Sequence, residues 1–521
     1  MAKAKDTDLE RYNDDSWAKR RGAHAKLKEL YDGVPLRATQ PRLNRESGEP
    51  IKRFPLQLNT AGLACDIHAD ITRGLPMDDD PLVVRTVIER SDNMSSERAI
   101  QLEKLLNDGV WRSSAGGPDQ WQAFLHMNIY GETAFRIVWE PWDTDLPYGL
   151  GVRFIREPSF IHPTFDPQNP WRMLECYFGY MISPKIAKLK YNVEPSSDRQ
   201  DALYLEYWSP TEWWVHVDGQ IPTMTDGETE WELAGQNTFG GVVPFYYVPH
   251  RRTTGLFGDS QIADQQDLME EFNSRAVSIS DLVRDIKGNI VVTTDVKKLE
   301  MSQIMLEGQV IRHRMDLGSS STMPGGGAKP PSAEPLGIPD VPDAITGWPN
   351  TLLDYWMMFN RISPAAFGTD DTKSGRITGP AVSQRMWSTT SHAATARANF
   401  SRVKTMIDKD LLKIMSLKGT ISQMAKHRPG INTPAVGKLD LLAQMRQQWP
   451  MMLPLDRQEL LKGLVELYRE GAISVELLLN EWGREDVEEE RAMNLKWRYD
   501  VLEQEKELAP EPAFGGGGDA S

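Results

Sequence analysis

The sequence predicts an α+β protein in which a β-rich middle region is followed by long helices. Between residues 131 and 249, aromatic and β-branched residues occur in short runs bounded by glycine, proline or Asp-Gly turns, which is typical of strands. From Gly258 to Gly288 the apolar residues recur every three or four positions, which predicts one long amphipathic helix. The carboxy-terminal part repeats this helical spacing. Strands and helices therefore occupy separate stretches of the chain, as in an α+β fold.

The amino-terminal part is predicted to be helical. Residues 1–56 are strongly charged and predict a partly helical arm, and residues 58–110 predict further helices. Ser95 stands just ahead of an apolar-periodic run, which is a capping signal. The arm lacks the apolar centre of a signal peptide, and no apolar run approaches the length that crosses a bilayer, so a soluble product is expected.

The first predicted strand extends from Gly131 to Trp139, and Asp218 with Gly219 marks a hairpin turn further on. Further segments with strand composition are VRFIREPSFIHPTF, CYFGYMIS, ALYLEYWSPTEWWVHVDGQ and VVPFYYVPHRR. Their β-branched and aromatic content fits a half-buried sheet.

The helix from Gly258 to Gly288 has a signal at each end. Asp259 or Ser260 can cap its start, and Gly288 can end it in a left-handed conformation. Two predicted strands follow, in NIVV and GQVIRHR. A Gly/Ser/Pro-rich segment comes next, at residues 318–342, and is expected to be extended or mobile.

Helices return after this insertion. A short apolar helix is predicted in TLLDYWMMFNRI, followed by a turn-rich loop and a long helix from Pro380 to Gly419. The Pro/Gly-rich segment PGINTPAVG predicts a domain boundary. Beyond it, amphipathic helices punctuated by Pro450, Pro454 and Gly471 are expected, then an acidic helix and a disordered tail.

The charge is unevenly distributed along the chain. The net charge of -15 argues against a protein that holds nucleic acid tightly over its whole surface. Residues 346–420 nevertheless carry ten Lys/Arg against five Asp/Glu, whereas residues 440–521 carry nine against eighteen. One basic segment thus lies in an acidic molecule, and a solvated helix face is the simple alternative explanation.

One stretch resembles an enzyme site, because tryptophans lie near carboxylates. Carbohydrate-active sites need two opposed carboxylates beside aromatic platforms, but strands also use tryptophan for packing. The residues concerned are Trp208, Trp213, Trp214 and Trp231, with Glu206, Glu212, Asp218, Glu228, Glu230 and Glu232.

Other motifs of catalysis and cofactor binding are missing from the sequence. There is no HExxH, no Cys/His ligand set, no phosphate loop, no GxGxxG after a strand and no GxSxG. We therefore expect no catalytic residues, no metal, no cofactor and no nucleotide binding. Cys65 and Cys176 predict buried thiols in a reducing compartment and no disulfide framework.

The order of these parts resembles the portal, or head-to-tail connector, proteins of tailed bacteriophages. The matching segments are VPFYYVPHRR leading into GDSQIADQQDLMEEFNSRAVSISDLVRDIKG, then NIVV, TDDTKSGRITGPAVSQRM and LPLDRQELLKGLVELYREGAIS. The resemblance covers most of Gly131 to Glu507. It implies a β-rich wing with long stem helices, a small α/β clip insertion and a helical carboxy-terminal crown.

The parts of that family would map onto this chain as follows. They are an amino-terminal arm and wing at 1–257, a stem helix at 258–288, a clip at 289–345, a returning stem helix at 346–362, a tunnel loop at 363–378, a wing helix at 379–430, a crown at 431–508 and a disordered tail at 509–521.

The resemblance implies a non-enzymatic ring, usually of twelve subunits, at the unique capsid vertex of the virion. Double-stranded DNA would pass through its channel during packaging and ejection, with weak and non-specific contacts. Its partners would be the terminase large subunit, head-completion or adaptor proteins, and the major capsid and scaffold proteins. Assembly would take place in the host cytoplasm, without a membrane.

Three sets of residues are the expected sites. Lys373 and Arg376 would touch the DNA backbone in the tunnel loop while Asp370 and Asp371 repel it, because a conduit that bound phosphates strongly would stall the duplex. The other sets are Leu268, Phe272, Ile279 and Val283 for packing of stems between subunits, and Lys297, Lys298, Arg312 and Arg314 for docking of partners on the clip. The alternatives are another virion structural protein or a carbohydrate-active enzyme.

Overall fold

The computed structural model describes residues 2–33, 59–74, 82–90, 94–140, 146, 149–194, 201–225, 230–252, 255–275, 290–293, 311–314, 332–335, 343–364, 386–418, 436–437, 439–450 and 452. Within these ranges the protein is a mixed α and β structure, in agreement with the α+β prediction. None of the helices in the described ranges is long and apolar enough to span a membrane.

The helices of the described residues are α1 (Ala2–Tyr12), α2 (Asp15–Tyr31), α3 (Thr60–Arg73), α4 (Ser96–Lys104), α5 (Arg112–Ser114), α6 (Gly117–Tyr130), α7 (Pro184–Tyr191), α8 (266–275), α9 (Asp343–Phe359) and α10 (Trp387–Lys418). A π-helical segment, Leu105–Trp111, joins α4 to α5, and 3₁₀ turns occur at Pro158–Phe160, Ala263–Gln265 and Asp440–Leu442. The predicted cap is confirmed, since the Ser95 hydroxyl accepts a hydrogen bond from the Arg98 amide at 3.2 Å.

The strands are β1 (Arg85–Ile88), β2 (Glu132–Trp139), β3 (Leu150–Ile155), β4 (Ile161–Phe165), β5 (Met173–Ile182), β6 (Ala202–Trp208), β7 (Glu212–Val217), β8 (Thr223–Thr225), β9 (Glu230–Glu232), β10 (Ala234–Gln236), β11 (Phe245–Pro249), β12 (Ile290–Thr293), β13 (Ile311–Arg314), β14 (Ser332–Pro335) and β15 (Met445–Gln448). The predicted hairpin turn is confirmed, because Asp218 and Gly219 both have positive φ, as a type I′ turn requires.

Two antiparallel sheets make up the β-rich body. One has the strand order β10-β7-β6-β5-β4, and the other has the order β11-β2-β3. Strand β2 lies in the centre of the smaller sheet, and most of its residues on both faces are buried. A small third sheet, β13-β12-β14, is formed by residues of the predicted clip, where the strand predictions for NIVV and GQVIRHR are confirmed.

The amino-terminal arm is fixed to this body. Trp17 on α2 donates from its indole nitrogen to the Ser159 carbonyl oxygen at 2.7 Å. Arg20 and His24, on the same helix, pair with the buried carboxylate of Glu132 on β2. An arginine charge beside a buried carboxylate offsets part of the cost of removing that carboxylate from water. Helix α2 therefore belongs to the same packed unit as the strands of the β-rich body.

Two predicted helical stretches contain strands in the structure. Residues 445–448, assigned to a helical crown, form β15, which pairs antiparallel with β1 so that Arg85 lies opposite Gln448. The prediction that residues 58–110 are entirely helical is also wrong, because β1 lies within this stretch. Residues Ala443 and Trp449 pack on the main core, so this part of the chain is joined to the amino-terminal body.

The long carboxy-terminal helix α10 packs across β11 and α3, with Phe400, Ile407 and Leu411 fully buried. It was expected from Pro380 to Gly419, and the described part extends from Trp387 to Lys418. The returning helix, expected at 346–362, extends from Asp343 to Phe359 as α9. The positions of these helices bring the ends of α8, α9 and α10 together beside the body.

Candidate functional site

The predicted helix at 258–288 begins later than expected, and a backbone crossing explains why. Gly258 lies against Gly131, so close that a Cβ on Gly258 would be 1.9 Å from the Gly131 carbonyl oxygen. Gly131 itself has a φ of +79° and ends α6. Neither position accepts a side chain without displacing backbone, and helix geometry is incompatible with this contact. Residues 258–262 therefore form no regular helix, a 3₁₀ turn follows at Ala263–Gln265, and α-helix starts only at residue 266.

Hydrogen bonds keep this segment on the end of α6. The Ser260 hydroxyl donates to the Ile129 carbonyl at 2.6 Å and accepts from the Ile262 amide at 3.1 Å. The Asp259 amide donates to the Arg251 carbonyl at 2.7 Å. Asp259 and Ser260 were the predicted helix caps, and that prediction is wrong because the Asp259 amide and the Ser260 hydroxyl donate to Arg251 and Ile129 instead.

The start of α8 and the end of α9 are joined at Asn360, which is fully buried. Its side-chain oxygen accepts from the Gln265 amide at 2.6 Å, and its carbonyl accepts from the Gln261 amide at 3.2 Å. The same carbonyl lies 2.7 Å from Nε2 of His68 on α3. We name these four residues the Asn360 junction. Because a carbonyl can only accept, His68 donates from Nε2.

The carboxy-terminal end of α9 is closed by a Schellman motif. Arg361 takes a left-handed conformation with φ of +55°, its amide donates to the Met358 carbonyl, and the Ile362 amide donates to the Met357 carbonyl. Ile362 is buried in the same apolar cluster as Trp356 and Met357. The chain is thereby turned from α9 towards the predicted tunnel loop.

The segments that flank the predicted tunnel loop are bonded to each other. The Ser363 amide donates to Oγ1 of Thr389 at 3.0 Å, and Thr389 donates to the Arg361 carbonyl at 2.9 Å. Ser388 donates to the same carbonyl at 3.2 Å. The chain therefore leaves α9 and enters α10 at one point, next to the Asn360 junction.

Three histidines from different elements pack behind the junction. His392 on α10 lies between His68 and His250, with ring centroids 4.5 and 4.6 Å apart respectively. We name them the histidine cluster. Burial lowers the pKa of His68 to about 4, and burial with the neighbouring His68 lowers the pKa of His250 to about 4. Burial also lowers the pKa of His392 strongly, so all three are neutral at pH 7.

Helix α9 carries apolar side chains on its outer as well as its inner face near its end. Trp356 and Met357 are buried with Leu268 of α8 packed against them, and Leu352 is buried as well. On the outer face, beside the exposed Asp354, Met358 is 63% exposed and Phe359 is 61% exposed, together with Leu353 and Tyr355. Exposed apolar residues grouped in this way mark a contact surface. One side of α9 therefore has no covering among the described residues.

Two of the predicted stem residues and two of the predicted clip residues lie within the described ranges. Leu268 and Phe272 are both half-buried on α8, and Leu268 packs against α9 of the same chain, so packing of these residues between subunits stays a prediction. Arg312 and Arg314 belong to β13, opposite Val291 and Thr293 of β12. The other predicted site residues, Asp370, Asp371, Lys373, Arg376, Ile279, Val283, Lys297 and Lys298, lie outside the described residues.

Sequence reasoning missed the polar residues of the junction. Asn360, Gln265 and His68 come from three distant segments, and none belongs to a recognisable motif. One local signal was available, since Asn360 is a polar residue inside the apolar run TLLDYWMMFNRI. A buried amide of this kind needs several partners, which only the folded chain supplies.

The tryptophan and carboxylate block is used for packing. The carboxylate of Glu206 accepts hydrogen bonds from Tyr204, Trp208 and Arg136 at 2.7–3.0 Å. The ring of Trp208 is stacked between Trp213 and Phe239, with centroids 5.2 and 5.1 Å away. Residues engaged in this way stabilise a sheet, and Glu206 has no opposed carboxylate among these partners. Among the described residues, no cluster of three or more His, Cys, Asp or Glu could hold a metal ion.

Comparison of the sequence with protein families and with curated proteins identifies no relative. No model of a protein family matches the chain. No curated protein has a significantly similar sequence. The geometry of the junction therefore carries the functional argument.

Proposed function

We propose that this chain is a portal protein of a tailed bacteriophage. In this proposal, identical subunits form a ring at the unique capsid vertex of the virion, and double-stranded DNA passes through its channel during packaging and ejection. The clip would dock the terminase large subunit and later the head-completion or adaptor proteins. The ring would also contact the major capsid and scaffold proteins, and the chain itself would catalyse no reaction.

The observation that carries the proposal is the Asn360 junction. Helix α8 starts and α9 ends at one point beside a β-rich body, and the small sheet β13-β12-β14 comes between them in sequence. A pair of helices that leave and re-enter a body at one place, with an insertion between them, is the layout of a stem that carries a clip. The bonded flanks of residues 365–385 support a loop held at the same place.

The uncovered side of α9 supports a repeated contact with a second copy of the chain. Fully burying a side chain the size of Phe359 or Met358 contributes about 1.5–3 kcal/mol. A contact of this kind between unlike surfaces of identical subunits produces a ring when the rotation from one subunit to the next closes. Ring multiplicity would then let weak contacts with DNA act together on one duplex.

A carbohydrate-active enzyme is supported less well. Its aromatic platforms would have to be free, whereas the ring of Trp208 is covered on both faces, by Trp213 and by Phe239. Another virion structural protein shares the same general features, but it does not account for two helices and a loop that meet at one junction.

The first test is electron microscopy of the purified full chain, with mass photometry at the same concentration. We expect rings with a central channel. The variant Phe359→Asp should convert rings to smaller species without changing the circular dichroism spectrum, because it places a charge in the contact between subunits.

A matched control is Leu189→Asp, since Leu189 on α7 is a comparably exposed apolar residue away from α9. It should leave the rings intact. A monodisperse monomer that hydrolyses polysaccharides would overturn the proposal. Equal disruption of the rings by both variants would show that α9 is not part of the contact between subunits.

A further inference from the structure

A cleft of about 430 Å³ lies on the β-rich body, away from the junction. It is lined by residues from β2, β3, β5 and α7 and from the turn before β4. The lining side chains are Arg136, Glu140, Arg153, Phe154, Ile155, Arg156, Phe160, Phe178, Tyr180 and Lys190. Its volume is within the range of small-molecule sites.

Two arginines face each other across strands in this cleft. Arg136 on β2 and Arg153 on β3 are direct partners in the antiparallel register, so both side chains emerge on the same face of the sheet. Like charges directly opposite each other destabilise a sheet. The arrangement is held by carboxylates, since Arg136 bonds to Glu206 at 3.0 Å and Arg153 to Glu140 at 3.4 Å. Each of these two cations thus keeps a carboxylate partner on this face.

The cleft has an excess of positive charge in an acidic protein. Arg156 and Lys190 bring the cations that line it to four, against the lining carboxylate of Glu140, the Glu206 carboxylate bonded to Arg136 and the Asp119 carboxylate, which interacts with Arg156 and Arg153. The whole chain has a net charge of -15. Guanidinium groups present planar donors that match phosphate oxygens. The local excess of positive charge therefore favours an anionic ligand.

Aromatic rings form the other half of the lining. Phe160 and Tyr180 are stacked with centroids 5.4 Å apart, and Phe178 lies 5.2 Å from Tyr180. Phe160 and Tyr180 keep part of their surface exposed in the cleft. Partly exposed rings beside arginines are the combination on which a nucleobase stacks while its phosphates are neutralised.

We propose that this cleft binds a nucleoside phosphate, with its phosphates on Arg153, Arg156 and Lys190 and its base against Phe160 and Tyr180. No phosphate-loop motif is needed, because side chains from separate elements replace the backbone cradle of such loops. For this reason a search of the sequence for nucleotide-binding motifs does not find the cleft. The proposal does not depend on ring assembly.

The test is titration of the purified full chain with ADP, inorganic pyrophosphate and adenosine, followed by calorimetry. ADP should bind more tightly than pyrophosphate, and adenosine should bind weakest. Removing one charge-assisted contact by Arg153→Gln or Arg156→Gln should weaken ADP about tenfold. Phe160→Leu should weaken ADP several-fold and leave pyrophosphate unchanged, which a general loss of structure would not do.

A matched pair of variants locates the site on one helix. Lys190→Gln should weaken ADP binding, whereas Lys185→Gln should not, because Lys185 is an exposed lysine of α7 outside the cleft. No ADP binding, or equal effects of the two lysine variants, would overturn the proposal. Equal affinity for pyrophosphate and ADP would also overturn it, as would displacement of ADP by a short glutamate peptide that binds more tightly.

Discussion

The buried ion pair of α10 provides a test of how the two ends of the chain are held together. Asp408 and Lys404 are completely buried, with the Lys404 nitrogen 3.2 Å from the carboxylate. The same carboxylate accepts from the Trp111 indole at 2.7 Å and from the Thr86 hydroxyl at 2.6 Å, and Gln447 on β15 donates to it at 3.2 Å. One side chain therefore links β1, the π-helical segment, α10 and β15.

Replacing Asp408 with alanine leaves the Lys404 charge without its partner inside the protein. Breaking a buried pair in this way costs about 3–5 kcal/mol, and the unpaired indole and hydroxyl add to that cost. Burial already lowers the pKa of Lys404, and the Asp408 carboxylate counteracts part of that effect, so the variant should lose the lysine charge more readily. The measurement is urea unfolding at pH 7 and one fixed protein concentration.

Two further variants decide whether the reasoning holds. Asp408→Leu combined with Lys404→Met removes both charges and should cost much less than Asp408→Ala alone. Asp108→Ala removes an exposed partner of Arg112 at the same four-residue spacing and should cost under about 0.5 kcal/mol. Equal losses for the single and the double Asp408 variants would refute the idea that the unpaired lysine is the cause.

Three other predictions concern the junction and the channel. The histidine cluster is neutral in the folded protein, and the lowered pKa values of its members mean that the unfolded chain binds more protons, so the free energy of unfolding should fall as the pH drops from about 6.5 towards 4. At pH 5 we expect a loss of about 2 kcal/mol, relative to neutral pH, for each of His68 and His250. The loss would be seen as a lower urea midpoint, and an unchanged midpoint would contradict it. Gly258→Ala should cost about 1–3 kcal/mol by thermal unfolding because of its contact with backbone, whereas Gly22→Ala on α2, which meets nothing within 4 Å, should be neutral or stabilising. Lys373→Ala with Arg376→Ala should leave rings intact and change the length or retention of packaged DNA, and normal packaging would contradict the assignment.

Local signals predicted the parts of the fold that local chemistry determines. The alternation of Gly131 to Trp139, the Asp218-Gly219 turn and the Ser95 cap each depend on residues close in sequence. Each of them is present in the structure.

The start of α8 could not be predicted in the same way. It depends on the backbone contact between Gly258 and Gly131, which no helical periodicity reveals. The strand β15 is another case, because MRQQ has little intrinsic strand preference and becomes a strand by pairing with β1. The Asn360 junction likewise depends on partners from three segments. Tertiary contacts decide all three features.

The pairing of β1 with β15 has a consequence for folding of the chain during its synthesis on the ribosome. Arg85 lies opposite Gln448, so the first strand is made long before its partner exists. At a synthesis rate of about 5–20 residues per second, β1 waits roughly 20–70 s before its partner is made. During that time the edge of β1 has no partner strand, which exposes the nascent chain to misassociation. Fusion of a rapidly folding domain after residue 430 should therefore lower soluble yield more than the same fusion after residue 521.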